Sequence, residues 1–178
     1  KKALDVLCRA GALKSLQDER FTGAKHFWSA IACDRPRKLK DLAVNIAAYK
    51  EEGDFSTAER IQYLTDLTGI FPINLVMKDK TLSDLNDAGV PPISEYDPEL
   101  KAVWFIPRKV NVRKTKNDKS YYVIEAVDLN NMITQIRCWG ANPERDHIQI
   151  NRPYVATLQY NDQWGFSTRS IYHNLRPL

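Results

Sequence analysis

The strongest constraint in this chain is a change of hydrophobic period at Val90-Pro91-Pro92. Before that point apolar residues recur every three or four positions, and from Lys101 onward they alternate. The first pattern buries one face of a helix, the second one face of a strand. A chain written this way builds two kinds of core in succession, so the expected class is α+β, helices first and strands second. The breakers Val90-Pro91-Pro92 and Pro98 mark 90–100 as a linker between a helical domain over 1–89 and a β domain over 101–178.

In the helical part, Ala3, Leu4, Leu7, Cys8 and Ala10 form a first apolar face. Phe21, Ala24, Phe27, Trp28 and Ile31 form a second, and Leu39, Leu42, Ala43, Ile46 and Ala47 a third. Ser56 and Glu59 have capping-box spacing for a fourth helix, in which Ile61, Leu64 and Leu67 point inward and Gly69 is the C′ residue. Pro72 suits the first position of a short helix through Met77, and Thr81 or Ser83 caps one more turn. The chain opens on the amphipathic pattern with no cap residue and no Met, which reads either as the interior of something longer or as a trimmed N-terminus. No run of about 18 apolar residues suggests a membrane span.

In the β part, alternation over 102–112, 121–127, 133–139, 153–160 and 164–172 predicts five strands, with turns at Asn117-Asp118, Asn130-Asn131 and Asn161-Asp162. Five short strands with an irregular stretch between the third and fourth fit an OB-fold β-barrel, with a five-stranded sandwich as the alternative.

Charge separates the chain further. The net charge is only +4, yet 108–119 holds six bases and one acid, while 79–100 holds six acids and one base. Such unevenness fits one surface that meets a polyanion and another that avoids it. Single-stranded nucleic acid needs cations for its phosphates and aromatic rings for its bases. Arg113, Lys114, Lys116 and Lys119 fall at the first hairpin, with Tyr121 directly after. On the third strand, placing Ile136 and Cys138 in the core turns Arg137 and Trp139 outward. These seven residues are the single-strand candidates. Trp164 is assigned to hairpin packing.

A second candidate lies at LCRAGALKSL, where Gly11 interrupts a helix before Lys14 and Ser15. Amides exposed between two helices can grip a phosphate, with Lys14 adding charge and Ser15 a donor. A helix C-cap is the plainer account. The basic cluster Arg35, Arg37, Lys38 and Lys40 suits a duplex backbone or a solvated helix start. Cys8, Cys33 and Cys138 are isolated, which points to buried thiols in a reducing compartment. His26, His147 and His173 lack ligand spacing, so neither metal nor cofactor is expected in this chain. No Ser-His-Asp motif, P-loop or dinucleotide fingerprint is present, and no catalytic centre is expected.

The order of these pieces resembles the C-terminal helix-hairpin-helix plus OB region of bacterial and phage family C replicative DNA polymerases, the DNA polymerase III alpha subunit. ALDVLCRAGALKSL resembles the second of that family's tandem hairpins, and STAERIQYLTDLTGIFPINLV its following helical segment. RKTKNDKSYYVIEAVD resembles the first OB strands, and ITQIRCWG the third. The resemblance covers nearly the whole chain. It implies a cytoplasmic DNA-replication protein of a bacterial or phage-infected cell. Its DNA partners would be the primer-template duplex, at Gly11, Leu13, Lys14 and Ser15, and the single-stranded template, at the barrel residues. It also implies a sliding clamp or other replisome proteins as partners, although Gln62-Tyr63-Leu64-Thr65-Asp66-Leu67 departs from a Gln-x-x-Leu-Phe clamp peptide. Nucleotidyl transfer, with its magnesium, would belong to the parent polymerase. The alternatives are a stand-alone OB-fold single-strand-binding or protein-adaptor module, and an RNA-binding module.

Overall fold

The computed structural model describes residues 2–33, 35–100, 102–140, 142, 146–169 and 175–177, with backbone only at 33 and 175–177. The expected strand end at 169–172 falls largely outside them. The chain is mixed α+β and divides into two compact units, Lys1–Pro72 and Ile73–Leu178. Among the described residues no helix is long and apolar enough to cross a membrane.

The first unit is built from helices α1 (Lys2–Arg9), α2 (Ala24–Trp28), α3 (Leu39–Ala48) and α4 (Thr57–Thr68). Its core gathers Cys8, Ala24, Phe27 and Phe55, with Leu13, Phe21, Trp28 and Tyr63 packed around them. Arg9 ties α1 to α4. Its guanidinium donates to the Tyr63 hydroxyl at 2.6 Å and lies 4.9 Å from that ring's centroid. Buried His26 accepts from the Thr22 amide through Nδ1 at 3.0 Å and lies 2.8 Å through Nε2 from the Ile46 carbonyl, which fixes the neutral tautomer that donates from Nε2. The capping box at Ser56 and Glu59 forms, and Gly69 closes α4 in the left-handed region. Several expected inward positions are exposed instead: Ala3, Leu4 and Leu7 on α1, Ile31 after α2, Leu39, Ala43 and Ala47 on α3, and Leu67 on α4, with Leu39 at 82%. Leu39 is the first residue of its helix and lies ahead of the half-buried Leu42 and Ile46.

The second unit begins before the strands, with α5 (Asp79–Asp87) and a 3-10 turn at Ile93–Glu95. Segment 90–100, expected as a linker, is packed into this unit. Ile93 is 2% exposed and belongs to the sheet's own core. The Trp104 amide donates to the Pro91 carbonyl at 2.9 Å, and the Ser94 amide to the buried Asp128 carboxylate at 2.7 Å. Three prolines shape this stretch as breakers do, but an apolar residue and a buried carboxylate anchor it.

Seven strands form one curled sheet: β1 (Ala102–Lys114), β2 (Ser120–Val127), β3 (Thr134–Trp139), β4 (Tyr154–Thr157), β5 (Gln159–Asn161), β6 (Gly165–Thr168) and β7 (Leu175–Pro177). Their order is β5-β6-β3-β2-β1-β4-β7. All pairings are antiparallel except β3 with β6. The predicted fourth strand is divided at Leu158. Its first half pairs with β1 and its second with β6, so one short segment reaches both arms of the sheet. Curling follows from this, because β4 and β5 sit far apart in the row yet only Leu158 separates them. A register shift between Pro107 and Lys109 bends β1 where it passes from β4 to β2. The core holds Phe105, Ile124, Ile136, Cys138, Ala156 and Leu158, each fully buried.

Candidate nucleic-acid interface

The strand phase on β3 places Ile136 and Cys138 at 0% exposure, with Arg137 and Trp139 half-buried on the other face. Register then fixes what lies beside them. Arg113, Tyr121 and Trp139 are direct partners across β1, β2 and β3, so they form one row on the outer face. The Tyr121 and Trp139 rings sit 4.6 Å apart between centroids, tilted by 32°. The next row carries Asn111, Val123, Arg137 and Ser167.

The β1–β2 hairpin presents the cations. Thr115 and Lys119 close its turn, and Asp118 takes a left-handed conformation at φ 58°. Arg113, Lys114, Lys116 and Lys119 are all exposed. Lys114 is ion-paired with Asp118 at 2.8 Å, which lowers the charge the tip offers. Arg137 donates to the Trp164 carbonyl and so braces the β5–β6 hairpin.

Trp139 also lies at one end of a groove of about 630 Å³. Tyr96, Pro98, Gln159, Tyr160 and Trp164 line it as well. Trp164 is 59% exposed and Tyr160 55%. Trp164 is therefore a wall of the groove, against the expectation that it serves only to pack its hairpin. Tyr96 and Tyr160 each meet Phe166 edge-on at 5.0 Å, on the face of the sheet that carries Ile136. Tyr96, Gln159 and Tyr160 were not singled out by sequence. The one available signal was two aromatics flanking the tight Asn161-Asp162 turn. Both described thiols are unsuited to chemistry: burial pushes Cys138 up to about 12 and Cys8 up to about 11.

The Gly11 turn is a different matter. Gly11 has φ 82°, its amide donates to the Cys8 carbonyl at 3.0 Å, and the Ala12 amide donates to the Leu7 carbonyl at 2.9 Å. That is a Schellman closure of α1, which uses the very amides a phosphate would need. Lys14 and Ser15 are exposed, but they open only a three-residue 3-10 turn, Lys14–Leu16, in place of the expected second helix. The Leu13 side chain packs against the helical core. The duplex grip expected of Gly11, Leu13, Lys14 and Ser15 loses its amide array and its helix N-terminus.

Searches against protein-family models, curated proteins and solved structures find no match to this chain.

Proposed function

We propose that the second unit is an OB-type barrel that binds single-stranded nucleic acid across its outer face, as the template-side portion of a DNA polymerase III alpha-like replicative polymerase. The observation that carries the binding reading is the in-register row Arg113–Tyr121–Trp139 running into the groove walled by Trp164 and Tyr96. Rings along such a track stack bases in any sequence, while hairpin cations hold phosphates. Support for the barrel comes from the parallel β3–β6 pairing and from the segment split at Leu158, which together return the sheet to β1. Support for the polymerase context is the ordered resemblance of the four quoted segments. In that context magnesium and the catalytic carboxylates belong to the parent polymerase, and a sliding clamp or other replisome proteins are the expected protein partners. The grip on duplex phosphates at Gly11 is not part of this reading.

The test is salt-dependent binding to labelled single strand, duplex and primer-template junction. Loss of one stacked base is worth roughly 1–3 kcal/mol, so Trp139→Ala is expected to weaken single-strand binding by about 5- to 150-fold. Arg113→Ala is expected to make the salt dependence shallower by about 0.7 in log–log slope. Equal binding by wild type and both variants overturns the reading. Tighter binding to RNA of the same sequence overturns the DNA assignment alone.

A further inference from the structure

The acidic stretch acquires a position once 90–100 is seen packed on the sheet. Tyr96 and Pro98 line the groove together with Trp139, and Glu95, Asp97 and Glu99 alternate with them along the same segment. Glu95 and Glu99 are exposed, and Asp97 is fixed by accepting the Glu99 amide at 2.8 Å. The outer-face track therefore has two unlike ends. It starts at the hairpin cations on β1, crosses β2, β3, β6 and β5, and finishes at a strap carrying three carboxylates. The four lateral steps from β1 to β5, about 4.8 Å each, make it about 19 Å wide.

We infer that this strap is an electrostatic stop that limits the nucleic-acid site to a short stretch of single strand. The inference rests on the proposed single-strand reading. Phosphates leaving the groove beside Pro98 pass its immediate sequence neighbours Asp97 and Glu99, and the Debye length is about 10 Å at 0.1 M salt. A strand can gain from the cations, Trp139 and Trp164, and then gains nothing from extending further. The site size falls at the lower end of the roughly 4–16 nucleotides that OB barrels cover. The bases over 108–119 and the three strap acids thus become a start and an end, while Asp79, Asp84 and Asp87 belong to α5.

The experiment compares wild type with Glu95→Gln/Asp97→Asn/Glu99→Gln on oligothymidylates from about 4 to about 16 nucleotides. Asn at 97 keeps the oxygen that accepts the Glu99 amide. The ratio of the two affinities at each length cancels the extra binding registers that longer strands offer. The expected ratio is about 1 for the shortest strand and about 3- to 10-fold in favour of the variant for the longest at low salt, shrinking toward 1 as screening rises. A ratio that is the same at every length overturns the stop while leaving the single-strand reading intact. Wild type that binds no single strand at low salt overturns both.

Discussion

Gly23 offers the sharpest test of the helical unit, because its requirement is for space alone. Its φ of 171° is extended backbone that any residue adopts. A Cβ built there would sit 2.6 Å from the Asp54 Cβ and 2.6 Å from the Gly53 carbonyl oxygen. Backbone cannot yield as a flexible side-chain end can. The overlap forces apart a junction where the Ala24 amide donates to Asp54 at 3.2 Å and the His26 amide to the Gly53 carbonyl at 3.1 Å. Overpacking costs about 1–3 kcal/mol, and each weakened hydrogen bond about 0.5–1.5 kcal/mol. Gly23→Ala is therefore expected to destabilise this unit by about 3 kcal/mol. For a domain of this size that lowers Tm by about 12–24 °C. Gly11→Ala is the matched comparison, since its nearest contact would be 3.6 Å and its only penalty the positive φ, about 1 kcal/mol. Denaturant titration followed by helical circular dichroism measures both. A Gly23→Ala loss no greater than that of Gly11→Ala refutes the steric reasoning.

Ile93→Ala should cost the β unit about 2–5 kcal/mol in chemical denaturation, whereas a free linker would lose almost nothing. Cys138 bears on alkaline stability. Its unfolded thiol ionises near 9, while burial holds the folded one protonated to about 12. The unfolded state then binds fewer protons, so stability falls as pH rises through that window. One such proton contributes roughly 1.4 kcal/mol per pH unit, and Cys138→Ala should flatten the pH profile by that amount. Neither Cys8 nor Cys138 should react with a thiol reagent at pH 8 until the chain unfolds.

What was legible in the sequence was local chemistry. The Ser56–Glu59 box, the Gly69 cap and the Asn117-Asp118 turn each depend on a few adjacent residues, and each formed. The phase of β3 was also readable, because Ile136 and Cys138 leave only one burial-consistent face. What escaped depends on partners distant in the chain. Pro91 and Pro92 read as breakers, but the burial of Ile93 depends on strands that come later. The division at Leu158 is invisible until β1 and β6 claim different halves of one segment. Trp164 was assigned to hairpin packing, and the groove it lines with Trp139 exists only when β3, β5 and β6 are brought together. At Gly11 the two readings shared one sequence pattern, and the direction of two amides decided between them.

The segment shared at Leu158 also orders events during synthesis. Ala102 pairs with Thr157 and β6 with the half beyond Leu158, so neither arm of the sheet can be completed until residues 154–168 have been made. Translation proceeds at about 5–20 residues per second, and the helical unit, whose contacts lie within Lys1–Pro72, is finished seconds earlier. The nascent chain therefore presents a folded helical unit followed by a long, half-paired β1–β2 hairpin with cations at its tip. The groove beside Trp139 therefore first exists only once β4, β5 and β6 have all been made.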